Sequence, residues 1–257
     1  MTATRHNIDL IQPDWPAPDN VHAFTTTRTG GVSQGRYASL NLATHVGDQP
    51  QHVAQNRQHL RRHAAMPGEP VWLSQCHGNR VIELDAKHEP CPQADAAVSR
   101  QHGVVCAVLT ADCLPLLICD RAGTQVAAVH AGWRGLHAGI ISNTVRQFPC
   151  PPRELLVWLG PAIGPQAFEV GEEVYAAFVS KQLHNQAAFT ASGTASWQCD
   201  LYRLARLELQ FLSVEAVYGG GACTCSDADR FYSYRRDGAT GRMASCIWLH
   251  HSCHIGI

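Results

Sequence analysis

The chain has 257 residues, a formal net charge of −1, 45% hydrophobic and 16% charged residues. That is a globular composition with room for one large domain or two small ones, and its balance of charge gives no electrostatic case for nucleic acid or an anionic membrane surface. No stretch of 18 apolar residues suggests a membrane span, and the N-terminal segment lacks the apolar centre of a signal peptide.

The first element in chain order is a turn with two glycines, Thr25-Thr-Thr-Arg28-Thr-Gly-Gly31, followed by Ser39-Leu-Asn41-Leu and a polar helix over 53–63. Leu73 and the run 81–84 read as strand pieces on either side of a turn at Gly78-Asn79, which places His77 at that turn. The middle of the chain is dense in short apolar runs, at 104–109, 114–119, 126–130 and 155–159. They do not alternate with polar residues, which is the pattern of strands covered on both faces. Two of these runs end in reactive side chains. The first stops at Asp112-Cys113 in Thr110-Ala-Asp-Cys113-Leu-Pro, and the other at His130 in Val-His130-Ala-Gly-Trp-Arg134-Gly. Cys and His at the mouths of neighbouring buried strands are how α/β proteins build sites.

Further on, the pattern predicts helices over 135–148, Glu172–Lys181 and 201–212, the last with Asp200 as N-cap and Leu201, Leu204, Ala205 and Leu212 on one face. A turn-rich basic segment at Phe231-Tyr-Ser-Tyr-Arg235-Arg236-Asp-Gly leads into a last strand at 246–249. No repeat or linker divides the chain. The expectation is a single domain over 1–249 with a tail at 250–257, of mixed-sheet α/β or α+β architecture.

Eleven cysteines without an export signal predict a reducing cytoplasm and free thiols. An odd count cannot pair completely, and no Cys-x-x-Cys occurs, only Cys223-Thr-Cys225. Two chemistries fit His77, Cys113 and His130. As Cys-His-His ligands they would bind one zinc ion and leave a fourth tetrahedral position open, the catalytic pattern. Alternatively Cys113 is a nucleophile with His77 or His130 as its base. Asp112 could orient a histidine, accept a hydrogen bond from substrate, or move protons as a catalytic group. Arg235 and Arg236 are candidates for phosphate, since guanidinium forks match phosphate oxygens, and an exposed basic turn is the plainer reading. Asn41 and Arg57 are candidate polar pocket groups, and Arg134 a candidate turn-holding cation. Gly160-Pro-Ala-Ile-Gly164 lacks the lysine of a phosphate-binding loop and reads as a shaped loop. His250-His-Ser-Cys253-His254 reads as an adventitious metal-binding tail.

Together, Gln75-Cys-His77-Gly, Thr110-Ala-Asp-Cys113-Leu-Pro, Val129-His130-Ala-Gly-Trp-Arg-Gly135, Leu159-Gly-Pro-Ala-Ile-Gly164 and Phe231-Tyr-Ser-Tyr-Arg-Arg-Asp-Gly238-Ala-Thr-Gly-Arg242 resemble the YfiH-like family. This family is also called the laccase-domain or "multicopper polyphenol oxidase" family, and includes the peptidoglycan editing factor. The likeness runs from Arg28 to Leu249. It implies layered β-sheets flanked by helices, similar to the catalytic domain of a Cys-His deamidase toxin. It implies zinc on His77, Cys113 and His130. It also implies phosphorolysis of adenosine, inosine, guanosine and methylthioadenosine, and deamination of adenosine. For deamination, Asp112 is a candidate to move protons. For phosphorolysis, Arg57, Arg235 or Arg236 are the candidates to place phosphate. The implied partners are a nucleoside and phosphate, with no nucleic acid and no membrane. Cys76 departs from the family, which has an apolar residue there. An alternative is a thiol amidase acting on peptidoglycan precursors. Laccase chemistry is disfavoured: the chain has no His-x-His, so the ligands of a copper cluster are missing, although one bound copper giving weak oxidation in vitro remains compatible.

Overall fold

The structure, a computed structural model, describes residues 7–85, 87 and 89–250. Its strands are β1 (Leu10–Ile11), β2 (Val21–Thr26), β3 (Val71–Trp72), β4 (Val81–Glu83), β5 (Ala96–Ser99), β6 (Cys106–Thr110), β7 (Leu114–Asp120), β8 (Val126–Ala131), β9 (Leu155–Leu159), β10 (Glu169–Gly171), β11 (Phe189–Gly193), β12 (Ser196–Cys199), β13 (Ala216–Gly219) and β14 (Met243–Leu249). Its helices are α1 (Pro50–His63), α2 (Trp133–Ala138), α3 (Ile140–Val145), α4 (Glu172–Lys181), α5 (Leu201–Phe211) and α6 (Tyr234–Asp237).

The strands make two large mixed sheets, ordered β1-β2-β14-β6-β3 and β13-β9-β7-β8-β5-β4, and a small third one, β10-β12-β11. The two large sheets stack face to face. Cys106, Val108, Ile247 and Leu249 of the first sheet meet Leu117, Cys119, Ala128, Leu156 and Trp158 of the second. The outer face of the second sheet, with Leu116, Ile118, Ala127, Val129 and Val157, is covered by Leu136, Ile140, Ile141, Leu204 and Leu209 of α2, α3 and α5. On the far side, Leu60 of α1, with Leu40 and Leu42, covers Phe24, Leu109, Ala244 and Trp248 of the first sheet. The order is therefore helix, sheet, sheet, helices. Both sheets lie inside, and alternate residues of β7 serve opposite layers, so both sets must be apolar. The mixed, layered architecture expected from the sequence is the one observed.

Three local expectations are corrected. The helix over 135–148 starts earlier, at Trp133, and is cut in two at Gly139, whose φ of 87° is a left-handed cap. The strand pieces around Gly78-Asn79 do not pair with each other. β3 runs beside β6 in the first sheet and β4 beside β5 in the second, so the chain crosses between sheets at His77. Likewise β6 is not a sheet neighbour of β8, which pairs with β7 on one side and β5 on the other. Other expectations agree: α4 has the predicted limits, and the Asp200 side chain accepts the Arg203 N–H at 2.9 Å as N-cap of α5. All described cysteines are free thiols. Of the tail at 250–257 only His250 is described, and it packs through its N–H onto the Asn20 carbonyl; the rest of the metal-tail reading lies outside the described residues. Among the described residues no helix is long and apolar enough to cross a membrane.

Candidate active site and metal centre

Antiparallel pairing of β7 with β8 sets Leu114 opposite Ala131 and Pro115 opposite His130. Cys113, the residue before β7, therefore lies beside the end of β8. Between β6 and β7 the chain must pass from one sheet to the other. It turns at Asp112, whose φ is 100°, in a region that few residues other than Gly, Asn and Asp visit. The Asp112 carboxylate accepts the Thr224 hydroxyl at 2.6 Å and the Arg235 N–H at 2.7 Å, and its carbonyl accepts the Ile163 N–H at 2.9 Å. It ties three distant loops to the cysteine turn.

His77 is placed by a comparable device. The Gln75 side chain pairs with both backbone groups of Leu109, at 2.9 and 2.8 Å, and extends the edge of β6 as a strand would. Next, the buried Asp95 carboxylate gathers three successive N–H groups: Cys76 at 3.2 Å, His77 at 2.9 Å and Gly78 at 2.8 Å. The same carboxylate receives His130 Nδ1 at 2.8 Å. One acid thus orients two of the three site residues. With Nδ1 bound to Asp95, His130 has Nε2 left to face Cys113, the arrangement by which carboxylates orient metal-binding imidazoles. Asp95 is wholly buried, and hydrogen bonds hold it well below the usual carboxylate range against the opposing effect of burial. The Cys76 thiol donates to Asp95 at 3.2 Å.

The donor atoms of His77, Cys113 and His130 all lie within 4.8 Å of one another. His77 is exposed, Cys113 half-buried and His130 buried, so the group opens to solvent on one side. Burial alone would raise the Cys113 thiol, but the charge and hydrogen bonds of His130 and the hydrogen bond of His77 bring it down to about 6. Burial would lower His130, but Cys113 and Asp95 outweigh it and push it up to about 9. A borderline-soft set of one thiolate and two imidazoles, with a carboxylate behind and one open side, fits zinc with a free fourth position. Among the described residues no other group of three such side chains converges in this way.

This coupling has a pH consequence. Below pH 6 both Cys113 and His130 carry protons that a metal must displace; between 6 and 9 only His130 does. The affinity of this group for a divalent metal is therefore expected to rise with pH by about tenfold per unit between 6 and 9 and to level off above 9. Competition with a chromophoric chelator across that range measures it, and a flat profile would contradict it.

Gly132 explains part of the His-Ala-Gly-Trp-Arg-Gly motif. A Cβ there would sit 2.8 Å from Cys113 Sγ and 3.4 Å from His77 Cδ2. Its φ of −69° is ordinary, so the constraint is space alone. Gly132→Ala is expected to weaken metal binding by about 5- to 100-fold, since overpacking of about 1–3 kcal/mol falls on the Cys113 sulfur. Metal affinity and thermal melting report it; unchanged affinity would refute the steric argument.

The three residues lie in the wall of a cavity of about 440 Å³. This is the size range of small-molecule sites. Trp133, Phe168 and Tyr234 supply aromatic faces; Arg134, Arg235, Arg242 and His45 supply cations or hydrogen-bond donors. Of the residues singled out in the sequence, His77, Asp112, Cys113, His130, Arg134 and Arg235 line this cavity. The other three do not. Arg57 lines a neighbouring cavity, donates to the Leu42 carbonyl at 2.9 and 2.8 Å, and lies over the Trp72 ring. The Arg236 guanidinium is consumed by the carbonyls of Thr224, Cys225 and Phe231 and by Asp237 at 2.7 Å, so it braces a loop and has no donor for phosphate. Asn41 is buried and bonded to Ala43, Asp48 and the Arg242 N–H. Sequence reasoning missed Asp95, Arg242, His45 and the aromatic walls. The only signal for Asp95 was an acid directly before the apolar Ala-Ala-Val of β5.

Residues 22–250 match the family described as multi-copper polyphenol oxidoreductase laccase. The chain is 52% identical over 240 residues to a protein named purine nucleoside phosphorylase YfiH in Escherichia coli (strain K12), covering 93% of this chain and 98% of that one. A purine nucleoside phosphorylase of Pseudomonas aeruginosa is 53% identical over 240 residues, with the same coverage. Among solved structures, a Neisseria meningitidis protein superimposes with a TM-score of 0.91 at 50% identity, covering 94% of this chain and 99% of that one. YlmD from Geobacillus stearothermophilus does so with a TM-score of 0.84 at 28% identity, covering 92% and 94%.

Proposed function

We propose that this chain, which belongs to the multi-copper polyphenol oxidoreductase laccase (YfiH) family, is a cytoplasmic, zinc-dependent purine nucleoside phosphorylase with adenosine deaminase activity. The observation that carries the reading is the opening of the His77–Cys113–His130 group into a cavity lined by both aromatic side chains and guanidinium groups. The names of the relatives support the phosphorylase part.

Zinc held by His77, Cys113 and His130 would supply Lewis acidity beside the reacting atoms. The rest falls to the protein. Trp133 and Phe168 offer flat faces for a purine, and the cationic side chains of the cavity hold an anion that would not otherwise approach a thiolate. In phosphorolysis a phosphate oxygen bonds to ribose C1′ as the bond to purine N9 breaks. The electron pair leaves with N9, which takes a proton from water. In deamination water adds at purine C6 and ammonia leaves. Asp112, with both oxygens engaged, acts by positioning Arg235 and not as a proton carrier. Adenosine, inosine, guanosine and methylthioadenosine are the substrates we assign. Hypoxanthine and ribose 1-phosphate formed from inosine only when phosphate is present, together with inosine formed from adenosine, would support the reading. No turnover of any of the four by zinc-replete protein would refute it.

A thiol amidase is the second reading, favoured by one observation: Cys113, His130 and Asp95 follow one another as nucleophile, base and orienting acid. It predicts activity that survives chelation.

A further inference from the structure

The cations of the cavity are not equivalent. Arg134 is exposed and lies over the Trp133 ring, and Arg235 gives both terminal nitrogens to the Glu169 carbonyl at 3.0 Å. Arg242 is held differently. Its backbone N–H is fixed by Asn41 at 3.0 Å, and its Nη1 donates to the carbonyls of Thr240 and Gly241 at 2.9 and 3.0 Å. The guanidinium is braced from behind through one nitrogen. Among the described residues no carboxylate forms an ion pair with it, and its Nε and Nη2 have no protein acceptor.

His45 lines the same cavity. Burial, then the charges of Arg242 and Arg57, hold its imidazole below the ordinary histidine range. Glu69, the acid that bears on Arg57, is itself bonded to the Trp72 indole N–H at 2.8 Å. Two guanidinium groups and an imidazole thus share a corner where the cavity adjoins a second one of about 740 Å³, with His45, Gln75 and Leu109 common to both. Asp112 and Cys113 bear on Arg242 and Glu69 on Arg57, but among the described residues none forms an ion pair with Arg242, so an anion bound there is stabilised. A guanidinium with two free donors on one side matches two oxygens of a phosphate.

We infer that Arg242 and His45 form a subsite for a phosphate group, filled by inorganic phosphate as co-substrate; the co-substrate part rests on the phosphorolysis proposed above. Arg242, Cys113 and Asp112 line the same cavity as Trp133 and Phe168, so phosphate on Arg242 and a purine on the aromatic faces would share it. Arg57, in the adjoining cavity, contributes charge at His45, and Asn41 is a positioning residue for Arg242.

Calorimetric titration of zinc-loaded protein with inorganic phosphate tests this. Arg242→Gln is expected to weaken phosphate binding at least about tenfold and His45→Gln several-fold, the scale of a lost charge-assisted hydrogen bond. With inosine as substrate, KM for phosphate should rise by the same factor in Arg242→Gln, while KM for inosine changes less than about threefold. Should Arg242→Gln fail to fold by circular dichroism, Arg242→Lys keeps the charge, loses the fork, and should weaken phosphate binding several-fold. Unchanged phosphate affinity in the folded variants would overturn the subsite. Phosphate binding that depends on Arg242, without any base release by the wild type, would uphold the subsite and refute the phosphorolysis reading. Adenosine 5′-monophosphate that binds through Arg242 and displaces both phosphate and inosine would overturn the co-substrate assignment, the subsite then taking a nucleotide's own phosphate.

Discussion

Replacing Cys113 by alanine is expected to remove the metal and at least about 10³-fold of the phosphate-dependent base release, the scale on which loss of a group acting at the reacting centre is felt. Cys113 is the only thiol of the donor group, and the thiolate is what makes the set attractive to zinc. The fold should persist. Cys113 lies outside β7, whose residues are buried from Leu114 to Asp120 and hold the second sheet without it. Metal content by atomic spectroscopy and base release by chromatography on the same preparation give the result. A variant that keeps its zinc, or that loses zinc and keeps full turnover, would separate the site from the activity.

The second large effect is expected at Asp95, which touches no substrate in this account. Its two oxygens accept the N–H groups of residues 76–78 and His130 Nδ1. In Asp95→Asn, one oxygen becomes an NH₂ group facing donors. Zinc affinity should fall about 10–100-fold, as for other residues that orient ligand histidines. Asp95→Ala leaves a buried imidazole and several N–H groups unpaired and should cost about 3–5 kcal/mol of stability. Chelator competition measures the first and denaturant unfolding the second. Wild-type values for both variants would mean that His77 and His130 are oriented by something else.

The parts of this molecule that could be read from its sequence are those with a local pattern. β7, β8 and β9 are apolar without alternation because one set of side chains fills the space between the sheets and the other meets the helices. Asp200 and Gly139 act through their own turns, although the second was taken for part of one helix. Cys113 and His130 are legible because each ends an apolar run. What brings them together is not: the apolar runs suggest β6 and β8 as neighbours, whereas the contact comes from β7 folding back on β8. Asp95 was invisible for a related reason. It reaches His130 because β5 pairs with β8, setting Ala96 opposite Val129, and no short-range pattern encodes that partner. The arginines show the same limit. Arg236 was as good a phosphate candidate as Arg242 by residue type, and only the carbonyls of Thr224, Cys225 and Phe231 show that its donors are spent. Asn41 likewise acts at one remove, through the backbone of Arg242.

The most direct test of the central claim is to strip the metal with a chelator and titrate zinc back while following inosine phosphorolysis. The stripped protein is expected to show no turnover and to recover in proportion to zinc, complete at one ion per chain, the capacity of the single donor group found among the described residues. Full turnover in the metal-free protein would contradict it and move the assignment to Cys113 as a nucleophile with His130 and Asp95 behind it.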